Sequence, residues 1–243
     1  MKVYQKSAEE SYTLGVFPTL ELLTHQISHV KRVILNSKGE RNDGIKKIRD
    51  ICAKHHIDVE VNDRTIQKLS KKDNCYAIGV FEKYMEALVP ENNHVVLVNP
   101  GDMGNLGTMI RTMLGFGISD LAIIRPGVDI YDPKVVRASM GAMFQLRFHY
   151  YDSFADYAEA FSHHHHYPMM LKGATSIHQV EKKQPFSVIF GNESSGLPDS
   201  FLDAGTSVLI NQTDCIDSLN LSIALGITLY EFTRSTFEKD IEQ

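Results

Sequence analysis

Residues 94–117 read HVVLVNPGDMGNLGTMIRTMLGFG, and the fold turns on how this stretch divides. The run HVVLVN is apolar and β-branched, as a buried strand is, whereas GTMIRTMLGFG is helix-like in its apolar spacing. Pro100 and Gly101 interrupt both patterns between them. A second strand-like run, DLAIIR (120–125), follows the helix, and a turn is marked by Pro126-Gly127. Strand, helix and returning strand predict an α/β fold with parallel pairing.

Further strands are expected at QLRFHYY (145–151), YPMMLK (167–172), FSVIFGN (186–192) and SVLIN (207–211), giving a mostly parallel sheet. The last long element, SLNLSIALGITLYEFTRSTFEK (218–239), is apolar on most of its circumference over its first half. Such a helix is buried, in the domain core or against a partner subunit.

Toward the amino terminus the pattern is also α/β. TLELLTHQISHV (19–30) and GIKKIRDICAKHH (44–56) are helix-like, and KRVILN (31–36), IDVEVN (57–62) and CYAIGVF (75–81) are strand-like. The polar stretch EKYMEALVPENNH (82–94), with Pro90 and Asn92-Asn93, is the best boundary. It places a linker near 83–93 and two domains, 1–90 and 91–243.

The net charge of −5 argues at first against a nucleic-acid partner. It is unevenly spread: residues 1–90 hold 15 Lys and Arg against 12 Asp and Glu, net +3, and residues 91–243 hold 10 against 18, net −8. Lys46, Lys47, Arg49 and Lys54, and then Lys68, Lys71 and Lys72, form basic clusters able to meet phosphates, or ordinary solvated helix faces. Charge permits RNA without establishing it.

Cys52, Cys75 and Cys215 form no CxxC pair, so neither a disulfide framework nor a zinc site is signalled, and all three read as small buried residues. No apolar run reaches the roughly 20 residues of a membrane span, and the start lacks a signal peptide's apolar stretch, so a cytoplasmic protein is expected. His163 to His166 read as a polar loop without function. No metal site is expected.

Three segments near strand ends carry the chemistry. In Asn99–Gly117, Gly101, Gly104 and Gly107 allow close backbone approach to a ligand, Asn105 sits near a helix start and Arg111 follows about one and a half turns on. Taken singly, Asn105 is an N-cap and Arg111 a surface ion-pair partner. In Phe190–Pro198, Glu193 stands where a nucleophile elbow requires Ser. In Val208–Ser222, Ser218 is placed to cap the last helix, with Asn220 an early polar position.

Together these segments resemble the signature motifs of the SpoU/TrmH branch of the SPOUT methyltransferases. Asn105, Gly107, Arg111, Thr112, Phe116 and Gly117 match the first, Gly191, Glu193, Gly196 and Leu197 the second, and Ser218 through Ser222 the third. The match covers about residues 94–238. More weakly, the N-terminal third resembles the ribosomal-protein-like RNA substrate-binding domain that precedes this catalytic domain in many rRNA-modifying members.

The resemblance implies a deep trefoil knot, a homodimer, and S-adenosylmethionine framed by Gly191, Ile210 and Leu219. It implies methylation of a ribose 2′-hydroxyl in RNA, ribosomal RNA being favoured and tRNA the alternative. Asn105, Arg111, Glu193, Ser218 and Asn220 become the catalytic set. A guanidinium is hard to deprotonate, so Arg111 is expected to hold an RNA phosphate and stabilise alkoxide charge, with Asn105 and Glu193 orienting it. Glu193 as direct base is the lesser reading. The rivals are base methylation, a non-catalytic RNA-binding relative, and a dehydrogenase, for which no G-x-G-x-x-G follows a strand.

Overall fold

The computed structural model describes residues 2–70, 74–172 and 175–241; Lys71 and Lys72 of the second basic cluster lie outside them. In chain order the elements are β1 (Glu10–Tyr12), α1 (Val16–His25), β2 (Val30–Leu35), α2 (Asp43–His55), β3 (Asp58–Val61), α3 (Asp63–Leu69), β4 (Ala77–Glu82), β5 (His94–Val98) and α4 (Met103–Gly115). There follow β6 (Asp120–Ile124), α5 (Pro133–Ala138), β7 (Arg147–Tyr151), α6 (Phe154–Ala160), β8 (His165–Pro168), β9 (Thr175–Ser176), β10 (Phe186–Phe190), β11 (Val208–Leu209) and α7 (Leu221–Ile241). The chain forms two compact units, Met1–Tyr84 with Asp129–Gln145, and Met85–Val128 with Leu146–Gln243.

The first unit holds a four-stranded sheet in the order β1-β4-β2-β3, with β2 and β3 parallel and the other pairs antiparallel. Alternation along β2 divides its core: Val33 and Leu35 pack with Ile45, Ile48 and Cys52 of α2, while Ile34 packs with Tyr12, Ile66 and Leu69. Asn42 starts α2 by accepting a hydrogen bond from the Gly44 amide, and His56 ends it at φ 56°. Lys46, Lys47, Arg49 and Lys54 are exposed on its outer face. Segment 129–145 joins this unit through Ser11 Oγ donating to the Tyr131 carbonyl (2.5 Å) and the Phe81 ring meeting Phe144 edge-on.

The second unit is built on a five-stranded, wholly parallel sheet, β7-β6-β5-β10-β8. Its inner strands β5, β6 and β10 are buried almost throughout, which is why they read as unbroken apolar runs. From β5 the chain steps outward to β6 and β7, then crosses to β8 and returns to β10. The strand order therefore reverses between β5 and β10, and a ligand crevice is expected at their carboxyl ends. A small parallel pair, β9 with β11, stands apart from this sheet.

Sequence expectation and structure part company at several points. His163 and His164 lie in a turn and His165 and His166 begin β8; His164 is buried, bonded to Ser187 Oγ (2.8 Å) and the Pro90 carbonyl (2.7 Å). Within the run His164 is thus internal structure, its two ring nitrogens met by specific partners, while His163 and His165 stay exposed. Strand β8 accordingly starts two residues before YPMMLK and stops at Pro168, Met169 adding only an isolated bridge to Val208. Cys52 and Cys75 are buried as expected, but Cys215 is exposed, because its loop has no core beneath it. Among the described residues, no helix is long and apolar enough to cross a membrane, and no group of His, Cys, Asp or Glu is arranged to hold a metal ion.

Candidate functional site

A cavity of about 320 Å³ lies in the second unit at the carboxyl ends of β8 and β10, beside the reversal between β5 and β10, and no residue of the loop leaving β5 lines it. Its walls come mainly from three stretches: Met169–Lys172 after β8, Phe190–Leu197 at the end of β10 and beyond, and residues between Val208 of β11 and Ala224 in the first turn of α7. All three expected cofactor residues, Gly191, Ile210 and Leu219, line it, and so do Glu193 and Ser218.

Gly191 is required sterically. A Cβ there would lie 2.1 Å from the Gly196 carbonyl carbon and 2.4 Å from the Leu197 amide nitrogen, so the loop folds back on this one position. Gly196 makes the return at φ 65°, its amide donating to the Asn192 carbonyl at 2.9 Å.

The first-motif residues, and Asn220 of the third motif, lie elsewhere. Asn105, Arg111 and Asn220 do not line the cavity, nor do Gly101, Gly104 and Gly107. Gly101 instead leaves room for side chains, its Cβ position being 3.2 Å from both Asn192 Nδ2 and Glu193 Oε2. Helix α4 is capped by Asp102, whose carboxylate accepts from the Asn105 amide at 2.7 Å, so Asn105 is the residue being capped. An acidic residue directly before a helical pattern is an N-cap signal that could have identified Asp102.

The start of α7 shows the same displacement. The helix begins at Leu221, and Asn220, not Ser218, takes the capping place, its Oδ1 accepting from the Ser222 amide (2.9 Å) and hydroxyl (2.6 Å). Ser218 faces the cavity instead. Asn220 Nδ2 also donates to Asn105 Oδ1 at 3.3 Å, joining the third motif to the first.

The expected orienting bonds from Glu193 and Asn105 to Arg111 are not formed among the described residues. Glu193 accepts from the amides of Gly101 (Oε2, 2.9 Å) and Asp102 (Oε1, 3.0 Å), which places its charge on backbone donors. Arg111 is exposed on α4 and, among the described residues, makes no ion pair or side-chain hydrogen bond. The surface ion-pair reading of Arg111 thus fails in this structure too. Asn192, inside Phe190–Pro198 but not among the matched motif positions, bridges the two loops through its side-chain amide.

The cavity suits a ligand with an apolar planar face and a polar rim. Leu197, Val208, Ile210 and Leu219 offer apolar walls, while Ser194, Ser195, Gln212 and Ser218 supply hydroxyl and amide groups. A buried parallel sheet with such a cleft at the carboxyl ends of β8 and β10 defines an α/β domain with a candidate small-molecule site. Residues 92–230 match the model of the SpoU rRNA methylase family. The chain belongs to that family and is a methyltransferase.

Relatives agree over different extents. An uncharacterised tRNA/rRNA methyltransferase of Synechocystis is 33% identical over 146 residues, 58% of this chain; the match spans about half, 52%, of that relative's length. The 23S rRNA (adenosine(1067)-2′-O)-methyltransferase of Streptomyces azureus is 28% identical over 239 residues, covering 93% of this chain and 88% of the relative. In structure, the AdoMet-bound rRNA methyltransferase of Sinorhizobium meliloti superposes with a TM-score of 0.79 at 25% identity, over 93% of this chain and 88% of that one.

Proposed function

We propose that this methyltransferase uses S-adenosylmethionine to methylate a ribose 2′-hydroxyl of structured RNA, with ribosomal RNA as the substrate. One observation carries the reading: Gly191, Ile210 and Leu219, from two separate segments of the chain, meet in one cavity with Glu193 and Ser218. Match over nearly the full length to a 23S rRNA enzyme favours ribosomal RNA, with tRNA second. S-adenosylmethionine supplies an electrophilic methyl group on its sulfonium.

The chain's own residues do the rest. Gly191 leaves the loop backbone bare, Leu197, Val208, Ile210 and Leu219 form apolar walls, and Ser218 lines the same cavity with a hydroxyl that can meet the ribose. Arg111 is free to hold an RNA phosphate and to stabilise charge developing on the 2′-oxygen. A guanidinium does not serve as a base, so the hydroxyl proton leaves to a phosphate or water. Asn105 and Asn220 hold the starts of α4 and α7 together, which fixes the helix carrying Arg111.

Residues 1–90 form the RNA-binding domain in this reading, Lys46, Lys47, Arg49 and Lys54 being its exposed basic face. Replacing Lys46, Lys47 and Arg49 by Glu lowers RNA affinity and its salt dependence and leaves cofactor affinity unchanged. The active form is a knotted homodimer. Ile223, Ile227, Tyr230 and Phe237 make an exposed apolar stripe along α7, with Phe116, the residue that caps the end of α4, against the Tyr230 and Phe237 rings. Light scattering should give twice 27.4 kDa, and Ile227→Glu should yield the monomer.

The deciding experiment incubates the protein with methyl-labelled S-adenosylmethionine and ribosomal RNA, then digests the RNA for mass spectrometry. Label on a ribose oxygen is expected. Label found only on bases would sink the assignment.

A further inference from the structure

We propose that Asn192 is a positioning residue: its side-chain amide locks the cavity loop to the loop entering α4 and so sets where Arg111 stands when methyl transfer occurs. This rests on the methyl-transfer reading above.

Both halves of the Asn192 amide are in use. Nδ2 donates to the Asn99 carbonyl at 2.9 Å and lies 3.3 Å from Glu193 Oε2. Oδ1 accepts from the Ser194 amide (3.0 Å), the Ser194 hydroxyl (2.7 Å) and the Ser195 amide (3.4 Å). One end therefore shapes a turn lining the cavity, and the other reaches across the switch point to the residue that leaves β5.

From there a hydrogen-bonded path continues into the helix. Glu193, beside Asn192, holds the amides of Gly101 and Asp102, and Asp102 caps the Asn105 amide. Asn99 is held at φ 53°, left-handed backbone that Asn tolerates better than most residues. Its carbonyl is thereby the one Asn192 meets. Gly101 completes the fit, since a Cβ would press on Asn192 Nδ2 and Glu193 Oε2, each 3.2 Å away.

The position needs a donor and an acceptor on one short planar group. Asp keeps the acceptor and loses the donor, Ser is too short to span both loops, and Gln is a methylene longer. An Asn192→Asp change would also put a second carboxylate beside Glu193, so one of the pair would hold its proton to higher pH. That proton restores a donor toward the Asn99 carbonyl. Asn192→Asp should thus be a variant that acid repairs.

The test uses Asn192→Asp and Glu193→Gln in the full chain, with three readouts. In the cofactor-free protein, amide exchange at Gly101, Asp102 and Asn105 should quicken about tenfold in Asn192→Asp, the scale of one lost hydrogen bond. S-adenosylmethionine affinity by calorimetry should stay within about threefold, because the Oδ1 contacts to Ser194 and Ser195 survive. The single-turnover rate with cofactor and RNA saturating should fall about tenfold to a hundredfold at pH 8 and recover toward pH 6. Glu193→Gln keeps one acceptor oxygen, so its exchange should quicken at Gly101 or Asp102 and its rate should show no acid recovery.

Unchanged exchange in Asn192→Asp overturns the proposal, as does a rate loss that vanishes at saturating cofactor. Equal acid recovery in Glu193→Gln overturns it as well, since the carboxylate pair would not be the cause. If Asn192→Asp does not fold, Glu193→Gln decides, with unchanged exchange at both Gly101 and Asp102 as the adverse result. A wild-type protein that neither binds S-adenosylmethionine nor methylates RNA defeats the methyl-transfer reading instead, and the exchange data still decide whether Asn192 positions the loop.

Discussion

Asn220 Nδ2 donates to Asn105 Oδ1 at 3.3 Å, so the first turns of α7 and α4 are joined by two side-chain amides from residues 115 positions apart in the chain. The Asn105 amide is held by Asp102, and the Asn220 Oδ1 is held by Ser222. Each residue is thus fixed by its own helix before it meets the other.

A double-mutant cycle measures what this contact contributes. Asn105→Ala and Asn220→Ala should each lower the single-turnover rate, and the double variant should be less impaired than the product of the two losses. A neutral hydrogen bond contributes about 0.5–1.5 kcal/mol, a coupling of roughly twofold to tenfold in rate. Strictly multiplicative losses would mean the two amides act independently.

Gly191→Ala should damage the cavity where Gly115→Ala does not. The added methyl at 191 would sit 2.1 Å from backbone, whereas at Gly115, in the last turn of α4, it meets nothing within 4 Å. Calorimetry should therefore show at least about a tenfold loss of S-adenosylmethionine affinity for Gly191→Ala. Gly115→Ala should raise the melting temperature by about 2 °C, as replacing a helical glycine commonly does. Normal cofactor binding by Gly191→Ala would show that the loop can open without cost.

Most of the second unit was legible because a fully buried parallel strand has a simple signature. HVVLVN, DLAIIR and FSVIFGN became β5, β6 and β10. The cofactor loop was legible for a related reason, since Gly191 and Gly196 serve backbone geometry that no other residue supplies. What escaped depends on distant partners. Nothing local tells that His164 is satisfied by Ser187 and Pro90, or that Glu193 serves two amides across the switch point. Cap positions slipped by two or three residues, from Asp102 to Asn105 and from Asn220 to Ser218, because several capping residue types crowd each helix start. Segment 129–145 follows β6 in sequence yet clusters with the first unit, a placement set by contacts such as Phe81 with Phe144.

Acid should destabilise the protein through His94. This ring is fully buried at the start of β5, bonded to the Tyr157 hydroxyl (2.9 Å) and the Val89 carbonyl (2.9 Å). Burial pushes its pKa down to about 4; the Val89 carbonyl and Asp120 oppose that shift, while His164 and Arg147 add to it. A histidine whose folded pKa lies below its unfolded value of about 6.5 binds fewer protons when folded. Its stabilising effect is complete above pH 6.5 and is lost as pH falls toward 4, by ~3 kcal/mol in all. Burial also lowers His164 and His166, which adds to the trend with the same sign. Melting temperature should drop between pH 6.5 and 4.5, and His94→Gln should flatten that drop. An unchanged slope in His94→Gln would assign the acid sensitivity to other groups.

Arg111→Ala should abolish most methyl transfer and leave S-adenosylmethionine affinity nearly intact. The cavity is lined from Met169–Lys172, the loop after β10 and the approach to α7, whereas Arg111 is exposed on α4 and lines none of it. Among the described residues it has no ion pair whose loss would unsettle the fold, so a defect in Arg111→Ala reports on substrate chemistry. Losing one donor aimed at developing negative charge commonly costs about 10²–10³ in rate. Arg111→Lys should recover little of this, because an ammonium group cannot reproduce the planar two-pronged grip of a guanidinium on phosphate. Single-turnover measurements with saturating RNA and cofactor separate the outcomes. Normal rates in both variants would reduce Arg111 to a solvated surface residue, and a large fall in cofactor affinity would place it instead in support of the cavity.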